Sequence, residues 1–132
     1  MVDANVLISG FIVKKSLISN MLKHIRHNHT LVVCQYVLDE VEAFYSNESL
    51  DLLIDIRFYL GGIKMEVVDY IITDSSKYPP IRDPKDVPVL INAIEYKVDI
   101  FITGDKDFFD VQIKNPRIMK PRQYMDEFMS GS

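Results

Sequence analysis

Short, uninterrupted apolar runs alternate with segments of helical periodicity, and this alternation constrains the fold more than any other feature of the chain. Leu31-Val32-Val33-Cys34 and Ile100-Phe101-Ile102 are too short for helices and carry no polar face, so they read as buried strands. Lys64 to Val68 is a further strand, and Arg117-Ile118-Met119 a short last one. Between them, Leu17, Met21, Leu22 and Ile25 recur at helical spacing near Ser16 to His27. Val37, Leu38, Val41 and Phe44 mark a second helix ending near Ser46-Asn47. Leu50, Leu53, Ile54 and Phe58 mark a third, up to Gly61-Gly62, and Val87, Leu90, Ile91, Ile94 and Val98 a fourth. A last helix opens at Pro121. Thr73 to Lys85, with Ser75-Ser76, Pro79-Pro80 and Pro84, reads as a loop. Strands buried on both faces and alternating with helices predict an α/β fold, a sandwich around a parallel sheet.

The 132 residues suffice for one domain with its own core. A hydrophobic content of 48% with 26% charged residues excludes disorder and low-complexity scaffolds. Cys34 is the only cysteine, which excludes an internal disulfide framework and a multi-cysteine zinc site. It lies in an apolar run and reads as core. No apolar run approaches the ~20 residues of a membrane span, and the start lacks the basic-then-apolar order of a signal peptide. A cytoplasmic protein without membrane contact is the expectation. The net charge of -4 argues against a general basic coat. Only Met1-Val2 precede Asp3, little for a first strand, and Ser130-Gly131-Ser132 resembles an added tail. Both ends fit a domain excised from a longer protein.

Ligands of open parallel sheets bind beyond the carboxyl ends of the strands. Asp3 and Asp105 each follow a strand-like run, Asp83 and Asp86 precede the fourth helix, and Glu40 lies about a turn into the second. Five carboxylates from four separated segments can thus share one crevice. Packed carboxylates repel unless a cation neutralises them, and hard oxygen ligands suit Mg²⁺ or Mn²⁺ rather than zinc. Such an ion can activate water for in-line displacement at a phosphate. Each acid also has an ordinary role open to it. Asp3 and Asp105 fit turns, and Glu40 fits a solvated face beside Asp39 and Glu42. Asp83 stands before Pro84 as a cap does, but a helix running on from there would place Pro88 in its interior. A start at Val87, capped by Asp86, avoids that clash. Asp107 and Asp110 fit helix-terminus charges. Gly104 reads as a tight turn before Asp105, and Ser9 as a helix cap or a site hydroxyl.

Val2-Asp3-Ala4-Asn5-Val6-Leu7-Ile8-Ser9, the helix with Leu38-Asp39-Glu40-Val41, Arg82-Asp83-Pro84-Lys85-Asp86, and Ile102-Thr103-Gly104-Asp105-Lys106-Asp107-Phe108 together resemble a PIN domain. The resemblance is nearest to the branch of toxin components in toxin–antitoxin pairs. It covers nearly the whole chain and makes residues 1–129 one PIN-like domain. It implies a three-layer α/β/α sandwich with a central parallel sheet, and a metal-dependent endoribonuclease whose acids hold Mg²⁺ or Mn²⁺. By matching, the acids are Asp3, Glu40 and Asp105, with Asn5 and Thr103 as hydrogen-bonding supports and Asp107 as a secondary acid. In much of the family an Asp or Asn stands where this chain has Val87. Asp86 is its substitute, with Asp83 behind. Implied partners are RNA, an antitoxin protein and a second copy of the chain. Two rival readings stand beside the enzyme. One is a degenerate PIN domain acting as an RNA- or protein-binding module. The other is a phosphatase- or receiver-like domain with Asp3 as nucleophile; the Asp-Ala-Asn motif lacks that class's second carboxylate.

Four other groups are read from the sequence. His24 and His27 lie one turn apart and fit either a metal pair or, more simply, a solvated helix end with His29. Lys14, Lys15, Lys23 and Arg26 fit a phosphate-binding rim or a solvated face. Tyr36, Phe44, Tyr45 and Phe58 read as core or partner-facing surface rather than base-stacking platforms. Phe44, Tyr45, Leu53 and Phe58 together suggest a face that serves more than the core.

Overall fold

The computed structural model describes residues 1–12 and 16–129, so the predicted Lys14 and Lys15 of the rim and the tail 130–132 lie outside the described residues. The elements in order are α1 (Ala4–Ile12), α2 (Leu17–Asn28), β1 (Val32–Cys34), α3 (Gln35–Glu48), α4 (Leu50–Gly61), β2 (Glu66–Val68), α5 (Val87–Glu95), β3 (Ile100–Ile102), β4 (Arg117–Met119) and α6 (Pro121–Tyr124). Tight 3-10 turns cover Ser75–Lys77, Pro84–Asp86 and Lys106–Asp110.

All strand pairing is parallel. β1 pairs with β2 (Val33 opposite Val67), and β3 pairs with β4 (Phe101 opposite Ile118). The N-terminal residues add to β3 by a single bridge, Val2 to Ile102. Its ladder runs from Ile102 N–H to the Met1 carbonyl (2.8 Å) and from Asp3 N–H to the Ile102 carbonyl (3.0 Å). Helices cover the strands in an α/β sandwich, as the alternation predicts. The larger core gathers Val2, Leu7, Met21, Val33, Val37, Leu90, Phe101 and Phe108, and a smaller one gathers Phe11, Val41, Tyr45, Leu53 and Ile56.

Helix ends follow local chemistry. Ser16 and Ser49 cap α2 and α4, accepting from Ser19 N–H and Leu52 N–H. The predicted fourth helix, α5, stops before Val98. Lys97 takes the left-handed conformation (φ 53°), and Val98 N–H bonds back to the Ala93 carbonyl, an end typical of helix C-termini. Gly10 lets α1 approach α2 and α4, because a Cβ there would stand 2.9 Å from Leu22 Cδ1 and 3.1 Å from the Tyr59 hydroxyl.

The short apolar run Val6-Leu7-Ile8 behind Asp3 belongs to α1, whose buried residues Val6, Leu7, Gly10 and Phe11 have helical spacing. Several expectations are corrected. Ser9 is an exposed residue inside that helix and caps nothing. The buried face of α4 is Leu53 and Ile56, whereas Leu50, Ile54 and Phe58 form an exposed stripe at four-residue spacing. Tyr45 and Leu53 lie in the smaller core, so the suggested partner-facing set keeps only Phe44 and Phe58. His24 is half-buried rather than part of a fully solvated helix end. Its Nδ1 bonds the Tyr124 hydroxyl at 2.8 Å, while His27 is exposed beside Arg26. Cys34 is buried, as expected.

The fold predicts a contrast between two adjacent phenylalanines. Phe108 is fully buried against Phe101, with ring centroids 4.9 Å apart; Phe109 is half-buried, with the Lys120 ammonium 5.5 Å from its ring. In urea unfolding, Phe108→Ala should cost about 3–5 kcal/mol. Phe109→Ala should cost only about 1–2 kcal/mol. Equal losses would contradict this packing.

Candidate functional site

The parallel ladder brings Asp3 and the end of β3 together. The buried Thr103 hydroxyl donates to Asp3 Oδ2 (2.8 Å) and accepts from Asp105 N–H (3.0 Å). Asp3 Oδ1 accepts from Ala4 N–H (2.8 Å) at the start of α1. Asp105 Oδ1 accepts from Asp107 N–H (2.9 Å), which closes the following 3-10 turn and turns Asp107 back toward Asp105. Asn5 supports the same loop, its Oδ1 accepting from Gly104 N–H at 3.4 Å. Gly104 itself is not required: a Cβ there would meet nothing nearer than Asn5 at 3.8 Å. The tight-turn reading of Gly104 is thereby corrected.

The third segment arrives through the 3-10 turn Pro84–Asp86. Asp83 caps that turn, accepting from Lys85 N–H at 3.0 Å, and the turn runs directly into α5 with Pro88 in the first helical turn. The expectation that Asp86 caps α5 is corrected, because its side chain makes no cap bond. Its Oδ2 is buried and has no hydrogen-bond partner. One carboxylate oxygen from each of Asp86, Asp105 and Asp107 lies within 4.8 Å of the other two. Asp107, read from sequence as a secondary acid, is thus in the tightest group among the described residues. Asp3 and Glu40 stand outside that triad; Asp3 acts electrostatically on both Asp86 and Glu40.

The charges bear this out. Burial first, then contact with Asp105, pushes Asp86 up to about 7. Glu40, on the second turn of α3, is pushed up to about 7 by burial and then by Asp3, against the pull of Lys85. Burial raises Asp3 as well, opposed by the bonds from Thr103 and Ala4, with Asp105 adding repulsion. Among the described residues, Arg82 supplies one ion pair, to Asp107 at 3.3 Å, from an exposed position. A buried carboxylate oxygen without a hydrogen-bond partner, amid acids whose ionised forms are disfavoured, fits a hard divalent cation in both charge and ligand type. Val87 offers no ligand atom. Lys23 and Arg26, the described members of the predicted basic rim, line a separate groove of ≈ 300 Å³ with Phe58 and Ile63.

The PIN domain family profile matches residues 1–107, four-fifths of the chain. This chain belongs to the PIN domain family. Comparison with curated proteins finds no match. A chain in the crystal structure of VapBC2 from Rickettsia felis, bound to a DNA fragment from their promoter, superposes with a TM-score of 0.72 at 16% identity, covering 91% of this chain and 96% of that one. A chain in DNA-bound VapBC from Salmonella typhimurium gives 0.67 at 19% identity, covering 92% and 96%. At these identities the likeness concerns the fold: this PIN domain has the architecture of those chains. Among the described residues no helix is long and apolar enough to cross a membrane.

The raised carboxylates fix the sign of a pH effect in the metal-free PIN domain. Asp86 and Glu40 titrate near 7 when folded but near 3.8 and 4.5 otherwise. Their contribution favours the folded state below pH 4 and is lost as pH rises through 7. Other groups of the domain also titrate over this range and contribute equally to parent and variant. The decisive measurement is therefore a difference of melting temperatures in EDTA. Asp86→Asn should match the parent near pH 4 and exceed it increasingly towards pH 8. A parent as stable as the variant at pH 8 would contradict the crowding.

Proposed function

We propose that this PIN domain is a divalent-metal-dependent endoribonuclease, the toxin of a toxin–antitoxin pair. The observation that carries the reading is the convergence of Asp86, Asp105 and Asp107, one carboxylate oxygen of each within 4.8 Å of the other two, with a buried, unpartnered Oδ2 on Asp86. Asp3, Glu40, Asp86 and Asp105 hold Mg²⁺ or Mn²⁺, and Asn5, Asp83, Thr103 and Asp107 support them. Bound there, the ion supplies a Lewis acid that lowers the pKa of a water and offsets charge on the scissile phosphate. Thr103 keeps Asp3 and the Asp105 backbone in fixed register, so two ligands need no rearrangement. Lys85 and Arg82 moderate the negative charge that RNA phosphates meet on approach. Water is the nucleophile in this reaction, so a 2′-hydroxyl is not required and the product carries a 5′-phosphate. Membership of the family and the fold shared with chains of VapBC complexes support an antitoxin partner. The exposed stripe Leu50, Ile54 and Phe58 is a surface suited to such a partner or to a second copy.

Val87 favours a second reading, a PIN domain that binds RNA or protein without metal. One set of variants separates the two. Under the enzyme reading, calorimetry detects Mn²⁺ binding to the parent. Asp3→Asn and Asp105→Asn then each lower Mn²⁺-dependent RNA cleavage by roughly 10²-fold or more while the domain stays folded. Under the second reading the parent binds no Mn²⁺, and Val87→Asp creates binding. Undiminished cleavage in both Asn variants would overturn the site assignment.

A further inference from the structure

The loop leaving β2 is held at two neighbouring backbone positions. Asn92, fully buried in α5, accepts from Ile71 N–H on Oδ1 (2.7 Å) and donates from Nδ2 to the Pro88 carbonyl (2.6 Å). The Tyr96 hydroxyl donates to the Asp69 carbonyl. Tyr70 stands between these anchors and is 41% exposed. A buried amide is costly unless hydrogen-bonded; here it is satisfied by holding a surface loop in place.

Tyr70 meets Tyr36 edge to face, with centroids 5.8 Å apart and ring planes at 72°. Tyr36 lies in the first turn of α3, four residues before Glu40, and its hydroxyl donates to the Lys85 carbonyl (3.2 Å), next to Asp86. The aromatic pair therefore borders the carboxylate cluster at the carboxyl end of β2.

We propose that Tyr36 and Tyr70 form a nucleobase-stacking platform beside the carboxylates, Tyr70 offering its ring to a base of single-stranded RNA and Tyr36 fixing that ring's tilt. The proposal rests on the nuclease reading above. Proteins that bind single strands stack unpaired bases on aromatic rings, a contact that tolerates any base. A site crowded with carboxylates gains little affinity from phosphate contacts, so an uncharged contact beside it is the economical way to hold a strand. A protein partner is disfavoured as the occupant, since the pair adjoins the acids past which the scissile strand must run.

Fluorescence anisotropy in Ca²⁺, which the same hard ligands accept, tests the proposal with a short uridine oligonucleotide and the same ribose-phosphate backbone without bases. The parent should bind the base-bearing strand at least roughly fivefold more tightly than the bare backbone. Tyr70→Leu should lose that preference, Tyr70→Phe should keep it, and the bare backbone should bind all three alike. Equal binding of the base-bearing strand by the parent and Tyr70→Leu would overturn the platform and leave the nuclease reading standing. A parent that binds neither strand would overturn both and identify the nuclease reading as the one that failed.

Discussion

One hydroxyl organises the acidic end of this molecule. Thr103 donates to Asp3 and accepts from the Asp105 backbone, tying together segments 100 residues apart in sequence. The tie works because the parallel ladder between Met1–Asp3 and Ile102 has already set the register. A slip of one residue would turn the Thr103 side chain to the other face. Asp105, so placed, caps the turn that carries Asp107 and buries Phe108, so the site and part of the core share one turn.

The arrangement works against stability in one respect. Asp3, Glu40 and Asp86 all have their ionised forms disfavoured, with burial the leading cause in each. Folding does not relieve these carboxylates by pairing each with a base; among the described residues the cluster's ion pair is Arg82 to Asp107, and that one is exposed to solvent screening. Strain concentrated at one end of a sheet that is otherwise apolar and well packed is typical of a functional site.

Much of this was legible in the sequence, because parallel strands bury both faces and therefore read as plain apolar runs. The acids at strand ends were visible for the same reason. What the sequence concealed had identifiable causes. Helix α1 begins directly after Asp3, and its short apolar run hid the helical spacing of Val6, Leu7, Gly10 and Phe11. Leu50, Ile54 and Phe58 keep a clean four-residue period yet face outward, since periodicity marks an apolar face without saying what covers it. Asp86 was read as a cap because Asp83-Pro84 and Val87-Pro88 offer two starts; a 3-10 turn uses both in succession and leaves Asp86 free of capping. Tyr70 carried no signal. Its placement depends on Asn92, 22 residues later, and such a pairing has no local pattern.

Away from the carboxylates the strands have a different character. Val32 of β1, Glu66 and Val68 of β2, and Ile100 and Ile102 of β3 line a cavity of ≈ 410 Å³ together with Val2 and Tyr124. None of the carboxylates of the cluster borders it. The strands are thus loosely filled along this cavity and densely charged where β3 ends. Stabilising substitutions commonly carry a penalty in activity when they fall near a strained site. Here the cavity and the acids are built from different residues, so the domain can be made more robust by filling the one while the chemistry of the other is left to vary on its own.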